Sequence, residues 1–172
     1  MRKTPVLIAL MFSVVLATIA WGQSTRKAGL WEMTSTMTWQ KSPMPPGMSM
    51  PAGADSPFGG GTHTSQVCLT QEMIDKYGAP PPQSRNNQCQ LSNVVKQANS
   101  MSGDWVCGGM MAGKGTVEAT WTDADHATSK VHFLGSMQMG PNATPVEYTI
   151  ESTSIFKGAD CGSVKPLPVP KD

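Results

Sequence analysis

Hydrophobic and polar residues alternate along most of the chain after residue 28. In "LWEMTSTMTW" the odd positions Trp31, Met33, Met37 and Trp39 are apolar, broken only by Ser35, and the even positions from Glu32 to Thr38 are polar. Successive side chains of a strand point to opposite faces, so this period predicts a half-buried β-strand. "GTVEATWT" repeats it with Val117, Ala119 and Trp121, "SKVHFLGSMQM" with Val131, Phe133, Met137 and Met139, and "PVEYTIESTSIF" with Val146, Tyr148 and Ile150. "THTSQVCLT", "CQLSNVVKQ" and "GDWVCGGM" bring the total to about seven strands, with turn signals such as "GKG", "TDAD" and "GPNATP" between them. One short helix is predicted in "TQEMIDKYG", where Thr70 can cap and Glu72 and Asp75 suit the positive end of the helix dipole.

Neighbouring short strands with short connections imply a single all-β domain, an antiparallel meander whose apolar face must be covered. The sheet is expected to curl into a barrel or half-barrel filled by Trp31, Trp39, Trp105 and Trp121, with a two-sheet sandwich as the alternative. Four cysteines, Cys68, Cys89, Cys107 and Cys161, suggest two disulfides. Pairing "CQLSNVVKQ" with "GDWVCGGM" across a turn near residues 98–102 sets Cys89 opposite Cys107 and Leu91 opposite Trp105. Directly opposed positions lie about 4.5–5.5 Å apart, within disulfide reach. Cys89 with Cys107 is therefore the expected bridge, which leaves Cys68 with Cys161.

The first residues have a different pattern. Arg2 and Lys3 precede an apolar run from Val6 to Ala20, followed by the small residue Gly22, which reads as a secretory signal peptide over residues 1–22. The run is shorter than the roughly 20 residues of a membrane span, so no span is expected after cleavage. A linker (23–27), the β domain (28–162) and a tail with prolines at 166, 168 and 170 complete the expected organisation. Residues 1–22 carry two of the 13 basic residues and none of the 12 acidic ones, leaving 11 against 12 and a net charge of −1. Such a balance offers nothing to nucleic acid or an anionic membrane. The expected compartment is periplasmic or secreted.

Residues 40–61 are rich in Met, Pro and Gly, a long irregular stretch for a compact domain. Thioether sulfur binds Cu(I) or Ag(I) without deprotonation, so Met44, Met48 and Met50, with His63 beyond the glycines at 59–61, are the candidate soft-metal ligands. The same flexible methionines also suit the recognition of a partner protein or small ligand, and a linker needs neither. Other chemistry is sparse. His126 falls in the turn "TDADHA", which lacks the Gly and later Glu of a calcium loop, and His132 alternates onto a polar face. "GGMMAGKG" places two methionines side by side; alternation sends one to each face, and core packing is the economical reading. Glu118, Glu147 and Glu151 lie on polar faces, and no nucleophile elbow, zinc-protease or phosphate-loop motif is present. No catalytic residue is expected. The function expected is that of a non-enzymatic binding or envelope-associated module, with a Cu(I) binder or a carrier of small apolar ligands as alternatives.

"AGLWEMT" opening the first strand, "VCLT" before the helix, Cys89, "GDWVC" and the closing "FKGADCG" together resemble the domain of unknown function family 3617, small exported bacterial proteins. The resemblance runs from about Ala28 to Gly162 and implies an exported four-cysteine β domain, without an activity or catalytic residues.

Overall fold

The computed structural model describes residues 26–44, 61–78, 88–139, 142–167 and 169. The expected signal peptide, most of the Met-rich segment and the end of the tail lie outside them. Seven strands form one sheet: β1 (Gly29–Lys41), β2 (Gly61–Leu69), β3 (Cys89–Lys96), β4 (Ser100–Cys107), β5 (Met111–Trp121), β6 (His126–Met139) and β7 (Asn142–Gly158). Their spatial order is β2-β1-β7-β6-β5-β4-β3, antiparallel throughout. Strands β3 to β7 are a meander, β1 returns beside β7, and β2 lies beyond it. This is the order of a barrel cut between β2 and β3. The all-β meander expected from the alternation is the one found, as a curled sheet that does not close.

Among the described residues one helix, α1 (Gln71–Tyr77), is present, and it follows β2. The Thr70 hydroxyl accepts from the Met73 N–H, and Gly78 ends the helix in the left-handed region (φ 70°), its N–H donating to the Ile74 carbonyl at 2.7 Å. Buried Met73, Ile74 and Tyr77 face inward, and Gly78 sits so close to Trp121 that a Cβ there would come within 2.5 Å of the ring. Lys96, the last residue of β3, donates to the carbonyls of Ile74 and Asp75. The helix thus ties the two cut edges together at one end.

Two apolar clusters occupy the inner face. The larger includes Trp105, Val117, Trp121, Val131, Phe133, Met137, Val146 and Tyr148, and the smaller Trp31, Val67, Leu69 and Ile74. On β1 and β7 they are separated by a belt of serines: Ser152 and Ser154 are buried, and the Ser152 hydroxyl meets that of Ser35 at 2.8 Å. A buried hydroxyl needs such a partner. Phe133 is fully buried, stacked on Tyr148 at 4.9 Å, and lies over Gly113 and Gly135, where an added Cβ would stand 2.7 Å from its ring. Glycine at these two positions makes room for the ring.

The register of β3 and β4 sets Cys89 opposite Cys107 and Leu91 opposite Trp105. Disulfides join Cys89 to Cys107 and Cys68 to Cys161. The turn before β4 is tighter than the sequence suggested, since the strand already begins at Ser100. The paired methionines go to different sides: Met111 packs against the larger cluster, while Met110, in the turn after Gly109, is 59% exposed. Gly109 takes φ 73°, and the resulting turn carries Met110 out of the strand alternation. Beyond Cys161 the chain crosses to β2, where Pro166 bridges Cys68 and the Leu167 N–H donates to the Cys68 carbonyl.

Candidate functional site

The outer face consists of the even-numbered positions of β1 and β2 and their ladder partners. Each strand alone offers a few threonines, a residue whose branched Cβ suits an exposed strand position. The registers align them. Thr120 on β5 stands opposite Thr128 on β6, which stands opposite Thr153 on β7, then Thr34 on β1 and Thr64 on β2. Five threonines form one ladder across five strands, with hydroxyl contacts of 2.9 Å between Thr120 and Thr128 and 3.0 Å between Thr34 and Thr64. Adjacent strands are about 4.8 Å apart, so the hydroxyls repeat at roughly that spacing.

The neighbouring row is charged. Glu118, Lys130 and Glu151 are successive ladder partners, continued by Thr36 and Thr62, and the Lys130 Nζ lies 3.0 Å from a Glu151 oxygen. Apart from Thr62 and Thr64 on β2, both rows line an open depression of about 550 Å³, together with Ser129 and Ser152. Its floor presents donors, acceptors and charges of both signs, with no aromatic ring. One row further, His132 Nε2 is 3.2 Å from Glu147, whose other oxygen is 3.6 Å from Lys41 Nζ. These pairs are partly solvated and stabilise the face by little, typically under about 1 kcal/mol each.

At the opposite end, Arg26 is buried, its guanidinium 4.2 Å from the Trp31 ring and 5.8 Å from that of Trp121. Nη1 donates to the Gly78 carbonyl at 2.6 Å, while Nε and Nη2 have no hydrogen-bond partner. Burial lowers its pKa to about 10. The indole faces and the carbonyl end of α1 supply the negative potential that a carboxylate would otherwise provide. Sequence pattern placed Arg26 in a polar linker, and its only local signal is its position five residues before Trp31.

Of the sequence-derived metal candidates, Met48 and Met50 lie outside the described residues. Met44 is half-buried, its N–H bonded to the Ser42 hydroxyl. His63 is exposed on β2 opposite Ser35, six positions back along β1 from Lys41, or roughly 20 Å at the rise of an extended strand. His126 closes its turn on Asp123, whose carboxylate is held below its usual range, first by the Asp125 N–H and then by the His126 ring. Among the described residues no group of three His, Cys, Asp or Glu side chains is gathered for a metal ion, and no helix is long and apolar enough to cross a membrane.

The model of the family described as Protein of unknown function (DUF3617) matches residues 26–161. The chain belongs to this family. The match begins at the buried Arg26 and ends at Cys161, so it takes in both disulfides and the whole sheet. Neither the curated proteins nor the solved structures contain a match to the chain.

Proposed function

We propose that the protein is an exported, non-enzymatic binding module and that it binds through the hydroxyl-lined outer face of its sheet. The observation that carries this reading is the ladder of Thr120, Thr128, Thr153, Thr34 and Thr64, the first four of which line an open depression. Hydroxyls both donate and accept, and branched threonine side chains lose little freedom when they meet a ligand. A row at strand spacing suits an extended polar chain bearing its own hydroxyls, such as a glycan strand laid across the β-strands. The flanking Glu118, Lys130 and Glu151 add hydrogen-bonding ends of either sign. Two disulfides support a compartment where thiols are oxidised. The fully buried Trp31, Phe133 and Met73 fill the inner face with side chains, which favours the outer face over an apolar carrier's interior.

The test is an NMR titration of the isotope-labelled protein with soluble peptidoglycan fragments and neutral oligosaccharides. Shifts concentrated on Thr34, Thr120, Thr128 and Thr153 and saturating with ligand are expected. Saturating shifts confined to the inner face, or no shifts at millimolar ligand, refute the reading.

A further inference from the structure

The two cut edges of the sheet are protected to different degrees. On β3, Asn93 takes φ 50°, the ladder slips between Ser92 and Val95, and Lys96 is turned onto α1. Bulges and charged residues of this kind are how sheets blunt a free edge. On β2, residues Gly61 to Gln66 are all exposed, pair with β1 in unbroken register, and include no proline and no charged side chain.

The orientation of the unpaired groups on β2 follows from the tail. The Cys68 carbonyl accepts from Leu167, so the polar backbone groups of Cys68 point away from β1. In an antiparallel ladder the N–H and C=O of one residue point the same way and alternate along the strand. The outward groups of the exposed stretch are therefore those of Thr62, Thr64 and Gln66. The tail closes the edge at Cys68, and among the described residues these six groups have no backbone partner.

We propose that β2 pairs antiparallel with β2 of a second copy about a two-fold axis at Thr64. With Thr64 opposite Thr64, Thr62 meets Gln66 in both directions, so every outward N–H and C=O finds a partner. Gly61 then lies opposite Val67, and the next step would meet the tail on Cys68, so the tail stops the strand at the end of this register. No charged residue lies between Gly61 and Thr70, so the pairing brings no like charges together. The threonine ladder ends at Thr64, and the axis joins it to its copy, doubling its length. Cross-strand threonine pairs already close two contacts of this kind between β1 and β2. A single strand pair buries little surface, so the dimer is a weak one.

Sedimentation equilibrium of the purified, oxidised protein tests the pairing. The average mass is expected to rise toward twice the monomer between micromolar and millimolar concentration. Thr64→Pro removes an outward N–H that the β1 ladder does not use, and should weaken association at least tenfold while the circular-dichroism spectrum and melting temperature stay near wild type. Cysteine cross-linking fixes the register, because all four native cysteines are in disulfides and an introduced thiol stands alone. Thr64→Cys should link into covalent dimers. Thr62→Cys should not, since its copy lies about 13 Å away along the strand, and the Thr62→Cys, Gln66→Cys double variant should regain linkage. A protein monomeric at millimolar concentration, or equal linkage through positions 62 and 64, overturns the proposal.

Discussion

Phe133 and Leu134 are neighbours on β6, yet Phe133 is fully buried and Leu134 is 50% exposed. The same contrast runs across the sheet, where inner Ala119, Ser129, Ser152 and Ser35 sit next to outer Thr120, Thr128, Thr153 and Thr34. Inside, side-chain size is matched: two glycines make room for Phe133, and small serines separate the aromatic clusters. Outside, hydroxyls are matched while size hardly matters, because solvent fills any gap. The inner face carries the stability, and the outer face is free to be shaped by what it meets.

The most direct way to break this contrast is to truncate one residue on each side of β6. Phe133→Ala removes a ring packed against Tyr148, Gly113 and Gly135 and is expected to cost about 3–5 kcal/mol, measured by urea unfolding. Leu134→Ala, one position away, is expected to stay within about 0.5 kcal/mol. Comparable losses would mean that the outer face is covered by something and is not a free surface.

The bridge between Cys68 and Cys161 spans 93 positions and holds the tail against the outer side of β2. Replacing both cysteines by alanine should cost about 2–5 kcal/mol, mostly by freeing the unfolded chain. Proteolysis of the tail should quicken in the same variant, and an unchanged cleavage rate would show that the tail holds without the bridge.

Two buried inner groups sharpen the comparison through pH, with opposite signs. Burial raises the Tyr148 pKa, against a smaller opposing hydrogen bond from the Trp105 indole. The folded state keeps that proton longer, so its contribution is complete below about pH 10 and is lost as pH rises through the raised value. Arg26 is the reverse case: its lowered pKa of about 10 means that the cost of burying its charge is present at neutral pH and relieved above about pH 10. Tyr148→Phe should therefore flatten the alkaline loss of stability, and Arg26→Met should steepen it. At neutral pH Arg26→Met is expected to be neutral or stabilising, since an apolar side chain of similar length replaces a charge with two unpaired donors. An alkaline limb identical in both variants and wild type would remove both groups from the account.

The inner face was largely legible in the sequence. A strict period of two names its residues, and the register of Cys89 opposite Cys107 follows from pairing two adjacent segments. The threonine ladder was not legible, although each threonine was visible as the polar half of an alternation. Thr64 and Thr153 come from strands far apart in sequence, on either side of Thr34, and only the return of β1 between β2 and β7 brings them into line. Arg26 was hidden for a related reason: one charged residue in a polar stretch gives no sign that two indoles and a helix end will enclose it.

The smallest expected effect on stability is also the most informative about the outer face. Thr120→Val keeps the branched shape and removes only the hydroxyl that meets Thr128, so unfolding should move by no more than about 0.5 kcal/mol. The inner counterpart, Ser152→Ala, should cost more, about 1 kcal/mol, because it strips the half-buried Ser35 hydroxyl of its partner. If the ladder binds a hydroxyl-bearing chain, Thr120→Val should weaken that binding several-fold while Ser154→Ala, at a buried serine that does not line the depression, leaves it unchanged, as titration calorimetry of the two variants would show. Stability and binding would then separate along the two faces of one sheet. If both variants bind as wild type does, the ladder is only a way of pairing exposed strands, and its alignment reflects the preference of β-branched residues for such positions.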